Sequence, residues 1–537
     1  MSVEGGFAVD NLARPTQCAT DGAGVAVVDG DRTVTYDELD DGANRVANGL
    51  RKLGLKPGDR VAFVGRTCLA CVELMLGAAR AGVVMTMVNW RLHQQEMAYV
   101  LGDSSPRVIV TTVEFAASMA QLAETDSAMV IVVGGADTGD SECEWGHDWD
   151  SWRRDQSPDC AQMAAAADNT VLQLYTSGTT GKPKGAMLTH RSLAACIPDT
   201  VGVWRLDRTS VVLSVLPMFH IAGAGTVIGA LWSRSRLIID NDPSANNMLR
   251  VIESEGVTNL VLASVMLQAL VESAAAATTD LSSLRTVAYG AAPISAKVLQ
   301  AAIEAMKCRF VQAYGLTETA GVLCVLDPED HCFDPNGPPH IVATAVERLR
   351  SCGRARPGVE LRIIDIRTGG SQPAGEAGEV QARTARMMKG YWRKPEATAE
   401  VLSPDGWFRT GDVGELDSDG YLYLRDRLKD MIISGGENIY PAEVEDTLAW
   451  HPEVAEVAVI GVPDDEWGET PRGVVVRTAG SMLSPDDLIR FARDRLAHYK
   501  CPTSIEFVDA LPRNATGKVL RRELREVHWA GRERRIN

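Results

Sequence analysis

A chain of 537 residues exceeds what one compact hydrophobic core supports, so two or more domains are expected. Its 71 acidic residues outweigh 54 basic ones, and a net charge of -17 excludes general nucleic-acid binding, which needs a basic footprint. Hydrophobic residues make up 45%, an ordinary value for a globular protein, and no apolar run reaches the roughly 20 residues that cross a bilayer.

The start, Met1-Ser2-Val3-Glu4, is acidic with no apolar segment behind it, so no secretory signal is read. The eleven cysteines form no framework, which fits a reducing cytosol and a cytoplasmic location. In chain order, residues 61–64 read as a strand, 69–81 as an amphipathic helix and 83–87 as the next strand. The pair Cys68 and Cys71 lies in that apolar run and reads as core packing rather than redox or zinc chemistry. Strand-like runs recur at 108–110, 129–133, 171–175, 211–215, 237–239, 260–263 and 309–313. Residues 260–271 read as a buried helix or a strand–helix pair. Strands separated by helices imply parallel sheets with ligands at their carboxyl ends, an α/β class.

From residue 359 the texture changes. Residues 359–366 and 379–382 read as strands of a smaller, antiparallel-rich unit. After the run 421–424 comes a charged stretch, Arg425-Asp426-Arg427-Leu428-Lys429-Asp430, the candidate hinge. Beyond it, helices at 441–450 and 485–496 and strands at 457–462, 473–477 and 505–508 make an α+β domain. No internal repeat is present, and the connection 327–350 fits no motif.

Four segments carry chemistry. In Leu174-Tyr175-Thr176-Ser177-Gly178-Thr179-Thr180-Gly181-Lys182-Pro183-Lys184-Gly185, a strand runs into a loop of hydroxyls, glycines and ammonium groups. Such a loop offers the donors that polyphosphate needs, in a spacing that is not a Walker loop. Tyr314-Gly315-Leu316-Thr317-Glu318-Thr319, placed after the strand 309–313, offers a ring for a purine, a hydroxyl for phosphate and a carboxylate for Mg²⁺. In Gly406-Trp407-Phe408-Arg409-Thr410-Gly411-Asp412, an Asp after a tight glycine turn can accept ribose hydroxyls. Pro512-Arg513-Asn514-Ala515-Thr516-Gly517-Lys518 displays a lysine on a turn. Only 11 of the basic residues are lysines, and Lys182, Lys184, Lys429 and Lys518 fall in such segments, where a compact ammonium suits better than a planar guanidinium.

In this order the four segments resemble the acyl-adenylate-forming superfamily. Residues 426–443 in particular are similar to AMP-forming acyl-CoA synthetases of the fatty-acid–CoA ligase type. The resemblance implies an N-terminal AMP-binding domain (1–425) of two α/β sheet subdomains and a small β-barrel-like one. A hinge (426–430) and a mobile C-terminal lid (431–537) would follow. It implies that Thr176, Ser177, Gly178, Thr179, Thr180, Gly181, Lys182 and Lys184 cradle the ATP phosphates. Tyr314 and Gly315 would line the adenine pocket, Thr317 bond the α-phosphate, Thr176 and Glu318 hold Mg²⁺, and Asp412 with Arg427 take the ribose. Lys518 would bridge the acyl carboxylate and α-phosphate, with Thr317, Glu318 and His220 as further catalytic residues. His220 would gate between acyl pocket and CoA channel, Lys429 would be the hinge, and Gly435, Gly436 and Glu437 would form the CoA loop.

The implied reaction joins a carboxylic acid to AMP with release of pyrophosphate, then passes the acyl group to CoA. A ligase that stops at acyl-AMP or loads a separate carrier protein is the alternative. A silent ATP-binding protein would be expected to lose Lys518 or Glu318, and both are present. Residues 221–225, 262–267 and 288–292 are small and apolar, as pocket walls for a medium- to long-chain fatty acid, a ring-bearing acid or a sterol side chain would be. The expected partners are ATP, the acid and CoA, with no nucleic acid. Peripheral membrane contact and a homodimer stay open.

Overall fold

A computed structural model describes residues 24–529 apart from 127, 135–141, 144–145, 160–165, 177–181, 274–275, 277, 291–293, 295, 333–337, 436, 465 and 514–518. The chain forms two compact units, Met1–Glu360 with Arg383–Phe408, and Leu361–Ala382 with Arg409–Asn537.

Among its described residues the first unit holds two large sheets. The eight-stranded one runs Lys184–Thr189, Thr170–Thr176, Val84–Val88, Arg60–Val64, Val108–Thr112, Met129–Val133, Gly146–Asp148, Glu142–Cys143. Its central strands are parallel and buried on both faces, which is why they read as unbroken apolar runs. The helix Leu69–Ala81 forms where expected, but it is not amphipathic, because all of its residues are buried. Its two charged side chains find partners inside. Arg80 donates to Asn44 Oδ1 at 2.8 Å and Glu73 meets Arg153 at 2.8 Å. Burial pushes the Glu73 carboxyl up to about 7 against the pull of Arg153. Gly82, at φ 73°, ends the helix in the left-handed conformation that suits glycine.

The nine-stranded sheet runs Arg354–Ala355, Gly321–Leu326, Arg309–Leu316, Thr286–Gly290, Asn259–Ala263, Val211–Ser214, Arg236–Ile239, Val25–Asp29, Arg32–Thr35. Residues 260–271 resolve as the strand Asn259–Ala263 followed by the helix Ser264–Glu272. The strand expected at 309–313 continues to Leu316, so Tyr314 and Gly315 lie within it rather than after it. The connection 327–350 carries a short helical turn, Pro328–His331, and the helix Pro339–Arg348.

The second unit carries a four-stranded sheet, Val359–Ile364, Gly378–Thr384, Phe408–Leu416, Leu422–Arg427, where a small barrel-like subdomain was expected. Asp412 is not in a turn: it sits inside the strand Phe408–Leu416. A five-stranded sheet of Glu437–Ile439, Ile432–Ser434, Gly468–Arg477 and Val454–Asp464, with Ser504–Phe507 paired to Gly468–Arg477, packs with the helices Pro441–Ala449 and Pro485–Arg493 around a core including Ile432, Val444 and Leu488. The hairpin Ile432–Ser434/Glu437–Ile439 and the helix Arg521–Trp529 were not foreseen. No helix among the described residues is long and apolar enough to cross a membrane.

Candidate active site

Thr176 is the last residue of its strand, and Lys184 opens the next one directly across from it. The strands on either side of the polar loop therefore pair antiparallel, and Ser177, Gly178, Thr179, Thr180 and Gly181 lie outside the described residues. Lys184 is buried, its Nζ lying 5.3 Å from the centre of the Tyr391 ring, while the exposed Lys182 places its Nζ 5.4 Å from the Tyr99 ring.

The second segment comes to meet the first. Tyr314 is buried near the end of its strand, and Thr317-Glu318-Thr319 form a single helical turn between the antiparallel strands Arg309–Leu316 and Gly321–Leu326. Thr319 Oγ1 donates to the Gly321 carbonyl at 2.8 Å while accepting the Leu316 amide at 3.1 Å. At Gly315 a Cβ would lie 1.9 Å from the Gly321 carbonyl oxygen, so only glycine lets the two strands close here. Glu318 is buried, and its Oε1 accepts from Thr176 Oγ1 at 3.1 Å and from the Tyr391 hydroxyl at 2.9 Å. The structure thus joins two residues 142 positions apart that the motifs alone could only associate. Burial and the Glu318 charge push the Tyr391 phenol far above its ordinary range, so it stays a donor.

The pair Thr176 and Glu318 fits Mg²⁺: both donors are oxygens, one a carboxylate, and phosphate and water oxygens would complete the shell of a hard cation. No group of three or more His, Cys, Asp or Glu suited to a metal occurs among the described residues.

His220 caps the N-terminus of the helix Ile221–Trp232, with its ring edge-on to Phe219 at 4.6 Å. Its Nε2 is buried and has no hydrogen-bond partner among the described residues. Burial, helped by Arg91, lowers its pKa to about 4, so the ring is neutral at pH 7. Of the three wall segments, 221–225 opens that helix, 262–267 spans the end of the strand Asn259–Ala263 and the helix after it, and 288–290 ends the strand Thr286–Gly290. Ala291 and Ala292 lie outside the described residues.

In the second unit, Asp412 pairs with Arg427 in register on neighbouring strands, with Arg427 Nε 2.8 Å from Asp412 Oδ1. The strand Leu422–Arg427 runs into the 426–430 stretch, which is tied down closely. Asp426 accepts the Arg427 amide at 2.7 Å and the Ala442 amide, at the start of the helix Pro441–Ala449, at 2.8 Å. Burial raises the Asp426 carboxyl to about 6, with Arg521 opposing. Arg525 donates to the Lys429 carbonyl at 3.4 Å and to Asp430 at 3.3 Å, and Arg521 pairs with Glu445. Neither arginine was singled out from sequence, where both look like part of a solvated basic run.

Gly435, at φ 58°, turns the hairpin between Ile432–Ser434 and Glu437–Ile439, and its amide donates to the Trp467 carbonyl at 2.9 Å. Glu437 is exposed and Gly436 lies outside the described residues. So does Lys518; the described residues on either side, Arg513 and Val519, form an antiparallel bridge, and the Leu520 amide donates to the Pro512 carbonyl at 2.8 Å.

Comparison with known proteins shows the family. Residues 15–392 match the AMP-binding enzyme family, and residues 443–518 its C-terminal domain. A feruloyl-CoA synthase from an Amycolatopsis species is 40% identical over 93% of this chain and 95% of its own length. A fatty acid–[acyl-carrier-protein] ligase, ScoC, from Streptomyces coeruleorubidus is 37% identical over 94% of each chain. The ATP-bound crystal structure of MatB from Rhodopseudomonas palustris superposes with a TM-score of 0.85 at 31% identity, covering 96% of this chain and 98% of that one. The chain belongs to the AMP-binding enzymes of the adenylate-forming superfamily, the superfamily of the AMP-forming acyl-CoA synthetases.

Proposed function

We propose that this synthetase activates a bulky, apolar monocarboxylic acid, a medium- to long-chain fatty acid, by way of its acyl-AMP. The observation that carries this is the wall composition. The described residues of 221–225, 262–267 and 288–290 include no carboxylate, ammonium or guanidinium to hold a second charge on the acid. An apolar pocket gains about 0.8 kcal/mol for each CH₂ it buries, which favours long chains steeply over acetate. A ring-bearing acid is the second reading, supported by the 40% identity to a feruloyl-CoA synthase. Transfer to a carrier protein in place of CoA is a third, supported by the 37% identity to ScoC.

In this reading the hairpin residues 176–184 hold the triphosphate, and Tyr314 and Gly315 receive the adenine. Thr317 bonds the α-phosphate, and Asp412 and Arg427 hold the ribose. The acid's carboxylate oxygen attacks the α-phosphorus and pyrophosphate leaves. Lys518 offers a fixed ammonium to the growing negative charge, where such contacts are worth about a hundred- to a thousandfold in rate. Mg²⁺ held by Thr176 and Glu318 would neutralise phosphate charge. The thiol of CoA then attacks the acyl carbonyl and AMP leaves. Rotation at Lys429, within 426–430, would replace Lys518 by the 435–437 loop, and neutral His220 would gate the path between thiol and acid.

The test is CoA-dependent AMP release across acids graded in length and bulk, including hexanoate, dodecanoate, palmitate, ferulate and acetate. A rise with chain length is expected. A flat profile from acetate upward, or preference for ferulate, would overturn the fatty-acid reading. Accumulation of acyl-AMP at saturating CoA, relieved by a holo-carrier protein, would favour the third.

A further inference from the structure

The carboxylate at the centre of the candidate site is held by a residue outside every motif. Tyr391 is buried, and it reaches Glu318 from a segment laced onto the edge strand Lys184–Thr189. The Lys389 amide donates to Met187 O at 2.8 Å, the Met187 amide to Gly390 O at 3.0 Å, and the Trp392 amide to Gly185 O at 2.8 Å. Ala186 and Tyr391 form an antiparallel bridge. On the other side, the Met388 amide donates to the Glu318 carbonyl at 2.7 Å, and Thr398 Oγ1 accepts the Tyr391 amide at 2.9 Å. The segment therefore grips Glu318 by main chain and side chain together, on the strand that begins at Lys184.

An ionised glutamate side chain has three rotatable bonds, and an ion that must meet both it and a triphosphate needs one fixed orientation. Two hydroxyl donors, Thr176 and Tyr391, converge on Oε1 and orient the carboxylate plane. The Tyr391 ring also lies 5.3 Å from the Lys184 ammonium, so one side chain touches both the carboxylate and a cation of the phosphate hairpin. We propose that Tyr391 is a positioning residue for adenylation: its hydroxyl sets the carboxylate of Glu318 for the Mg²⁺–triphosphate, and its ring seats Lys184. The proposal rests on the reading in which Glu318 holds Mg²⁺.

Tyr391→Phe keeps the ring and its packing and removes only the donor. Two readouts are compared in wild type, Tyr391→Phe and Glu318→Gln. One is the thermal upshift produced by ATP as Mg²⁺ is titrated. The other is acid-dependent exchange of pyrophosphate into ATP over the same titration. Groups that orient a metal ligand typically affect metal affinity ten- to a hundredfold. Tyr391→Phe should raise the half-saturating Mg²⁺ about tenfold in both assays, recover its exchange rate at high Mg²⁺, and melt as wild type without nucleotide. A half-saturating Mg²⁺ within twofold of wild type overturns the proposal. So does a loss of melting temperature and activity that is the same at every Mg²⁺ concentration, which would make Tyr391 structural only. If Glu318→Gln itself keeps the wild-type Mg²⁺ dependence, the Glu318 reading falls and this inference with it.

Discussion

Asp412 and Arg427 stand opposite each other on neighbouring antiparallel strands, their side chains joined at 2.8 Å. Asp412 is almost wholly buried while Arg427 is about one-third exposed, so the pair presents a fixed carboxylate with a guanidinium at its rim. On the proposed ribose contact, Asp412→Asn should raise the KM for ATP roughly ten- to a hundredfold, as loss of a charged hydrogen-bond partner does. Arg427→Ala should do the same, and the double variant should be little worse than either alone, because the pair acts as one unit. Pyrophosphate exchange against ATP concentration measures this. An unchanged KM in folded protein refutes the assignment.

The lysines of the second unit should separate the half-reactions. Lys518→Ala should slow acyl-AMP formation by about two to three orders of magnitude, yet make thioester from pre-formed acyl-AMP and CoA at near wild-type rate. Lys429→Pro should adenylate but transfer slowly, since proline fixes φ near -65° and obstructs rotation there. Circular dichroism and melting first establish that both variants fold. Equal depression of both half-reactions by both variants would end the hinge reading without touching the adenylation step.

Two glycines near the start of the helix after His220 should respond oppositely to alanine. At Gly223 a Cβ would lie 2.2 Å from the Pro217 oxygen and 2.6 Å from that of Leu216, both main chain. Gly223→Ala should therefore cost about 1–3 kcal/mol and shift the loop that carries His220. At Gly225 a Cβ meets no described atom within 4 Å, and alanine should gain about 0.5–1 kcal/mol from helix propensity. Melting curves of the two variants decide it. Equal effects would mean that the tight approach to residues 216–217 relaxes freely.

Stability should fall below neutral pH partly through His331. Its Nδ1–H donates to the Asp327 carbonyl at 2.9 Å, because a carbonyl only accepts, so Nε2 accepts from the Tyr289 hydroxyl at 2.9 Å. Burial lowers its pKa to about 4 against the pull of Asp330 and Glu329. A base whose folded pKa is depressed contributes stability that is present above its unfolded value near 6.5 and is lost as pH falls toward 4. The loss for this group is on the order of 3 kcal/mol. His331→Asn should be less stable at pH 7.5 and show a shallower fall between pH 6.5 and 4. Denaturation midpoints that run parallel for the two proteins across that range would contradict it.

What the sequence disclosed depended on how local each feature is. The buried parallel strands were legible because β-branched runs such as Val108–Thr112 need no partner to be recognised. The motif from Thr176 to Lys184 was legible because it is continuous in the chain, but the strand Lys184–Thr189 that follows it was not foreseen. The helix Leu69–Ala81 misled, since Glu73 and Arg80 mark a polar face by periodicity while their partners Arg153 and Asn44 lie far off in sequence. Asp412 was read as following a tight glycine turn, and Gly411 before it does take φ 69°, but inside a strand. Tyr391 left no trace, because its partner Glu318 is 73 positions away. The one available signal was an aromatic directly after Lys389-Gly390, too common to single out.

The hold of Arg525 on the turn at 429–430 spans 95 positions of chain, and this bears on how the second unit is made. During synthesis the acidic residues of that turn leave the ribosome well before the guanidiniums that compensate them. Until Arg521 and Arg525 arrive, burying Asp426 and Asp430 is electrostatically unfavourable, and the turn stays hydrated. The strand Leu422–Arg427 and the helix Pro441–Ala449 can form early, but the junction between them locks only once the helix Arg521–Trp529 docks. Folding of this unit then ends at the segment that its proposed motion begins from, and a ribosome stalled before residue 521 would carry it with that junction still open.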